Sequence, residues 1–216
     1  MISRLLSELA TMPHGIIGIS ASGKMGKSAL AFAIAELVPG LKDRPHFLFE
    51  TAQADLSCFP GFTLVTDLDD VPPGSLVIIE DLGRIFGARG SAQNQQLPRW
   101  LGVISHKGIV VIFTIQSLSD ADISLFRSQN FIELHKIMWD EDLQFERPEF
   151  RESATYANLM INRFAMEHPE IPRAAMVFSP RYSEVSAWPL VSWWSDDCAH
   201  FLRDVRISEQ VGRRSR

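Results

Sequence analysis

Lys27 and Ser28 close an eight-residue stretch, Ala21-Ser22-Gly23-Lys24-Met25-Gly26-Lys27-Ser28, whose residue types suit the wrapping of an anion. A chain curled around a phosphate points successive N–H groups inward, and glycines permit the dihedrals and the close approach. A helix beginning near Lys27 adds its unsatisfied N–H groups and the positive end of its dipole. Lys27 can then reach the β- and γ-phosphates of a nucleotide, and the Ser28 hydroxyl can ligate Mg²⁺. The candidate binding set is Ser22, Gly23, Lys24, Met25, Gly26, Lys27, Ser28 and Ala29, with ATP and Mg²⁺ as the implied cofactors. Lys24 reads either as a γ-phosphate or neighbouring-subunit contact or as a solvated loop lysine. The pattern departs from its stricter form in having Ala21 where glycine is usual.

Further along, Leu76-Val77-Ile78-Ile79-Glu80-Asp81 is an apolar strand running into two acids. This has the form of a Walker B strand, whose first acid holds the metal and whose second polarises the attacking water. Glu80 on the metal, beside Ser28, and Asp81 on the water is the preferred assignment. The Glu-Asp order, where Asp-Glu is commoner, leaves the reverse open. The next apolar strand ends in Thr114-Ile115-Gln116. In the additional-strand class of P-loop ATPases a polar residue at that strand end contacts the γ-phosphate or the water, and Gln116, or Thr114 two residues earlier, is placed to serve. The candidate catalytic set is thus Lys27, Glu80, Asp81 and Gln116, together with an arginine considered below.

These residues need a scaffold, and the chain supplies one. Short apolar runs at 14–20, 46–50, 62–66, 76–79, 109–113 and 131–134 read as strands. Helical patterns fall at 27–38, ended by Pro39-Gly40, and at 95–105, 120–128 and 152–167. Strands that are apolar on both faces and alternate with helices imply an α/β domain: a mainly parallel central sheet with helices on both faces. Ligands in such sheets sit at the carboxyl ends of the strands, and every polar motif above follows such an end.

The totals set bounds. The 216 residues suffice for one sizeable α/β domain, and 46% hydrophobic with 22% charged residues is ordinary globular composition. A net charge of −5 argues against a uniformly nucleic-acid-coated surface but not against a local basic rim. Cys58 and Cys198 form no CxxC pair, so no zinc or redox motif is visible. Residues 1–12 read as an amphipathic helix with Leu5, Leu6 and Leu9 on one side. No apolar run approaches the roughly 18–20 residues of a membrane span. The division expected is 1–12 as this helix, 13–202 as the ATPase domain and 203–216 as a basic tail carrying five arginines against Asp204 and Glu209.

With these elements placed, the chain resembles the FtsK–HerA group of P-loop ATPases. More narrowly, it is similar to the genome-packaging ATPases of tailless icosahedral viruses with internal membranes. The resemblance spans residues 15–202. It rests on the loop at 21–28, the LVIIED strand, the strand ending in TIQ, and a C-terminal signature. In that signature Met176-Val177-Phe178 is a strand, Arg181-Tyr182 a turn, and Trp188-Pro189-Leu190 leads to Trp193-Trp194-Ser195 and a last helix. The resemblance implies an ATP-hydrolysing motor that translocates double-stranded DNA into a preformed capsid, works as a homo-oligomeric ring, and meets a capsid vertex. It implies the host cytoplasm, with virion association as a further location. Each ATP then sits at a subunit boundary, where a neighbour's arginine stabilises the transferring phosphoryl group. Arg127 lies where the resemblance expects that arginine, with Arg84 and Arg89 as other candidates. Residues 83–98 read as a polar loop that lines a pore and meets DNA through Arg84, Arg89 and Arg99, or as a loose surface loop. The tryptophans read as packing. A small-molecule kinase and a filamentous-phage-type assembly ATPase are the rival functions.

Overall fold

The computed structural model describes residues 4–51, 54–86, 93–121, 125–126, 130–199 and 201. In chain order the elements are α1 (Arg4–Ala10), β1 (Gly15–Ser20), α2 (Lys27–Leu37), β2 (His46–Phe49), β3 (Phe62–Val65), β4 (Leu76–Ile79), α3 (Leu82–Ile85) and α4 (Gln93–Lys107). There follow β5 (Val110–Ile115), β6 (Phe131–His135), α5 (Asp140–Leu143), α6 (Pro148–Glu167), β7 (Ala174–Ser179), β8 (Tyr182–Ala187) and α7 (Asp196–Ala199).

All eight strands form one sheet in the order β3-β2-β4-β5-β1-β6-β7-β8. From β3 to β6 every pairing is parallel, while β7 and β8 add to β6 as an antiparallel hairpin. β5 therefore separates β1 from β4, which is the additional-strand arrangement. Alternation along each strand divides the core between two faces. Ile17, Ile19, Ile78 and Ile112 point to the face covered by α1 and α2, where Leu5 and Leu9 of α1 are also fully buried. Ile16, Val77, Ile79, Val111 and Phe113 point to the face covered by α3 and α4. α2 is buried nearly all round, with Ala29, Ala31, Ala33 and Ala35 in its interior, so its axis can lie close against the sheet. α4 covers its face with Leu97, Trp100 and Ile104, spaced at one helical stripe.

Gly18 on β1 is required by packing. A Cβ there would lie 2.8 Å from the Phe113 ring and 3.0 Å from the Phe131 ring. Those two rings stack at 6.3 Å between centroids. Trp193 and Trp194 pack on Phe32 of α2, at 5.6 and 5.7 Å, and Trp188 is buried.

Several elements differ from the reading of the sequence. Where a helix was expected over 120–128, a 3-10 turn lies at Leu118–Asp120, with Ser117 accepting from the Ser119 N–H, and Ala121 is already extended; 122–124 and 127–129 lie outside the described residues. α6 starts at Pro148, four residues early, because proline is tolerated where a helix has no use for the N–H. The stretch 83–98 contains most of α3 and the start of α4 where a loop was expected, and 87–92 lie outside the described residues. Among the described residues no helix is long and apolar enough to cross a membrane.

Candidate functional site

The carboxyl ends of β2, β4, β5, β1 and β6 lie side by side along one edge of the sheet. Each delivers polar groups to it: Glu50, Glu80 with Asp81, Thr114 with Gln116, the loop at 21–28, and Lys136.

The loop leaves β1 and turns through two left-handed residues, Lys24 (φ 62°) and Gly26 (φ 77°), before entering α2. Glycine takes such a φ freely, whereas lysine does so at a cost of about 1 kcal/mol or more. The N–H groups of Ala21, Ser22 and Met25 are taken by the Ile115, Ile137 and Ser22 carbonyls, so an anion at the loop would be met by the remaining N–H groups and by those of the first turn of α2. Lys27, on the first turn of α2, reaches back over the loop and donates to the carbonyls of Ala21 (2.9 Å) and Ser22 (3.0 Å). Burial pushes its ammonium below the ordinary lysine range, while Glu80, Asp81 and Asp142 oppose that shift. Ser22 is tied inside the protein. Its hydroxyl donates to Asp142 and accepts from the Trp139 N–H (2.8 Å), and its own N–H donates to the Ile137 carbonyl (3.3 Å). Both donors of Ser22 thus anchor the loop to the segment after β6. Lys24 and Gly26 are exposed, Gly23, Met25, Lys27 and Ser28 partly so, and Ala29 is buried.

Glu80 is the hub. Its Oε2 accepts from the Ser28 hydroxyl at 2.7 Å and from the Thr114 hydroxyl at 3.0 Å. Thr114 in turn accepts from the Asp81 N–H at 2.9 Å. One carboxylate oxygen so joins the loop at 21–28, β4 and β5. Burial raises the Glu80 carboxyl above the usual carboxylate range, against the pull of those hydroxyls and Lys27. Its other oxygen, Oε1, is buried and has no hydrogen-bond partner. An orphaned acidic oxygen costs free energy unless something positive meets it. With the Ser28 hydroxyl beside it, this donor set suits a hard cation such as Mg²⁺. Among the described residues no group of three His, Cys, Asp or Glu side chains is arranged to hold a metal. Ser28 and Glu80 are the residues that would hold such an ion.

Asp81 sits at φ 53°, a left-handed conformation unusual for a residue with a Cβ. Burial raises its carboxyl too, opposed first by Arg84 and then by Lys27. Gln116 is exposed, just beyond β5.

Arg84 is engaged elsewhere. It grips the buried carboxylate of Glu50 with both terminal nitrogens, while Oε1 of that carboxylate also accepts from the Thr51 N–H (2.8 Å) and hydroxyl (3.2 Å). To reach a neighbour or DNA, Arg84 would have to leave this pairing. Arg99 is exposed on α4. Arg89, Arg127 and the tail 203–216 lie outside the described residues.

Sequence reasoning missed Glu50 and Asp142. The acid closing the run at 46–50 was a signal for the first, because polar residues at strand ends already marked the other motifs. Nothing local pointed to the second. A Ser-His-acid line also exists: Ser20 Oγ lies 2.9 Å from His135 Nδ1, and His135 Nε2 lies 2.8 Å from Glu133. Ser20 and His135 are wholly buried, so this line braces β1 against β6 and offers no accessible nucleophile.

No protein-family model and no curated protein matches this chain. Solved structures do match. The genome packaging NTPase B204 from Sulfolobus turreted icosahedral virus 2, in complex with sulfate, is 12% identical over 83% of this chain and 98% of its own, with a TM-score of 0.56. The DNA-packaging ATPase B204 from Sulfolobus Turreted Icosahedral Virus is 12% identical over 82% and 98%, with a TM-score of 0.51. EssC (ATPases 2 and 3) from Geobacillus thermodenitrificans is 12% identical over 86% of this chain and 42% of that one, with a TM-score of 0.52. At such identities the likeness is one of fold.

Proposed function

We propose that this chain, built on the fold of the FtsK–HerA-type P-loop ATPases, is an Mg²⁺-dependent ATPase that works as a ring and translocates double-stranded DNA, packaging a viral genome. The observation that carries the ATPase reading is the Glu80 hub, where Ser28 and Thr114 meet on one carboxylate oxygen. The motor reading is supported by the additional-strand sheet order and by the fold shared with two packaging enzymes.

In this reading the loop N–H groups and Lys27 hold the β- and γ-phosphates. Lys27 leaves the Ala21 and Ser22 carbonyls to do so, and its lowered proton affinity reflects a burial that an anion relieves. Mg²⁺, held by Ser28 and Glu80, would supply charge neutralisation on the phosphates. Asp81 orients the attacking water and takes its proton, and Gln116 steadies the water or the γ-phosphate. Thr114 keeps Glu80 and Asp81 in register. Arg127 acts in trans on the neighbour's nucleotide, so that hydrolysis depends on subunit arrangement.

The test is ATP hydrolysis with and without double-stranded DNA, on protein whose oligomeric state is measured. Hydrolysis should require the oligomer, rise with DNA, and vanish in Lys27→Ala. Mixing Lys27→Ala with Arg127→Ala subunits should recover activity that neither has alone. Full turnover by Lys27→Ala refutes the ATPase reading. Hydrolysis by a monomer, indifferent to DNA, refutes the motor.

A further inference from the structure

Cys58 and Cys198 stand 140 positions apart in the chain, yet the fold brings them into contact. Cys58 lies between β2 and β3, half-buried, and Cys198 is the buried residue of α7. The Cys198 thiol donates to the Cys58 carbonyl at 3.3 Å, and the two thiols are hydrogen-bonded to each other. Two cysteines can be cross-linked only where their side chains converge, and a thiol–thiol hydrogen bond is such a convergence.

Their surroundings hold them together. Phe59, next to Cys58, stacks on Phe32 of α2 at 4.6 Å and meets the Phe201 ring at 4.9 Å. Trp193 packs edge-on against Phe59 at 5.9 Å. α7 itself has four residues, too few to persist without such packing. Among the described residues no cluster of His, Cys, Asp and Glu could hold a metal, so the chemistry open to this pair is that of two thiols.

We propose that Cys58 and Cys198 are a dithiol–disulfide site, open under reducing conditions and closed by a low-molecular-weight disulfide such as oxidised glutathione, and that closure staples α7 to the segment before β3. Closure runs in two exchanges. The Cys58 thiol gives its proton to solvent, and the thiolate attacks one sulfur of the oxidant. A mixed disulfide forms on Cys58 and one small thiolate leaves. Cys198 then gives up its proton and attacks the Cys58 sulfur, and the second small thiolate leaves. The protein loses two electrons and two protons; the oxidant gains the electrons, and its two thiolates take up protons from solvent. Exposure sets the order, because Cys58 can be reached and Cys198 is covered.

Burial first, and the bond to Cys198 second, push the Cys58 thiol up to about 12. Little thiolate exists at neutral pH, so the first exchange is slow and the pair suits a lasting staple better than a rapid sensor. The cross-link encloses everything from β3 to β8, and closing so long a loop should raise the melting temperature by about 5–15 °C.

The full chain is incubated with reduced or oxidised glutathione at mildly alkaline pH, then examined by non-reducing gel, peptide mass mapping and thermal melts. The oxidised parent should yield a Cys58–Cys198 cross-link within one chain and a Tm about 5–15 °C above the reduced one, both reversed by dithiothreitol. Cys198→Ser should stop at the mixed disulfide on Cys58, Cys58→Ser should form no cross-link within the chain, and neither should gain stability. The parent alone decides the matter if a variant fails to fold. Two thiols left free in the oxidised parent, a parent that stops at the mixed disulfide, a cross-link between two chains, or an internal cross-link with an unmoved Tm overturns the proposal.

Discussion

Replacing Thr114 by valine removes one hydroxyl and keeps the branched shape of the side chain. Two bonds disappear with it: the 3.0 Å bond to Glu80 and the 2.9 Å bond from the Asp81 N–H. A hydrogen bond to a charged group contributes ~1.5–3 kcal/mol, and a buried donor left without a partner costs ~1–3 kcal/mol. Burial holds Glu80 towards its neutral form, which favours the lower end of the first range. The expected loss of folding stability is about 2–4 kcal/mol. Thr114→Ser keeps the hydroxyl and loses a buried methyl, which costs only about 1 kcal/mol. Urea unfolding of the parent and both variants, with a common slope, measures the difference. Turnover should follow the same order, since the valine variant lets both acids drift while the serine variant keeps them joined. If valine is no more destabilising than serine, Thr114 does not bridge the two acids and the hub is wrongly drawn.

Glu80→Gln should abolish turnover and yet stabilise the metal-free fold at neutral pH. Because the folded-state carboxyl is raised, the favourable contribution of Glu80 is complete below its unfolded pKa and is lost as pH rises through the folded one. Thermal melts in chelator should therefore converge with the parent below the ordinary carboxylate range and separate above it. Arg84→Met strands the buried Glu50 carboxylate and should cost about 3 kcal/mol in urea unfolding. The double variant Glu50→Gln/Arg84→Met should recover most of that loss, and an unchanged single variant would deny the pair any structural role. Gly18→Ala forces a methyl into the Phe113 and Phe131 rings and should cost ~1–3 kcal/mol by the same measurement. Ser22→Ala cuts the loop from Asp142 and Trp139 and should weaken ATP binding several-fold with the fold intact, as seen by calorimetry beside circular dichroism.

The mainly parallel sheet with helices on both faces was legible because its central strands are apolar on both sides. β8, with the sequence YSEVSA, carries no such signal: as an outer, half-covered strand it buries little, and pairing with β7 holds it in place. α3 is four residues long, too short to announce itself through periodicity. At the site, the loop and the acid pair are local motifs, so residue spacing exposed them. Glu50 was marked locally as an acid closing an apolar run, but its meeting with Arg84 follows only from β2 lying beside β4, and strand order is not written in any short segment. Asp142 reaches Ser22 from a helix that follows β6, and the Arg84 guanidinium points to Glu50 because of that same neighbour relation. Sequence reading recovers what is contiguous, and the sheet decides what converges.

The position of β1 also governs how the chain can fold as it is made. Its partners are β5 and β6, with Gly15 opposite Val110 and Ile16 opposite Phe131. The strand that feeds the loop at 21–28 is therefore made well before either partner and cannot pair until they have followed. At ~5–20 residues per second of synthesis, that wait is on the order of 5 to 20 s. During it an apolar strand with both edges unpaired is a template for aggregation. α2 follows within a few residues and is apolar nearly all round, so β1 and α2 can collapse on each other as a local unit while the rest of the sheet is made. The loop between them would then be shaped before either of its β-sheet neighbours exists. Folding under truncation or slowed translation should consequently fail between β4 and β6, with aggregates seeded by residues 15–20.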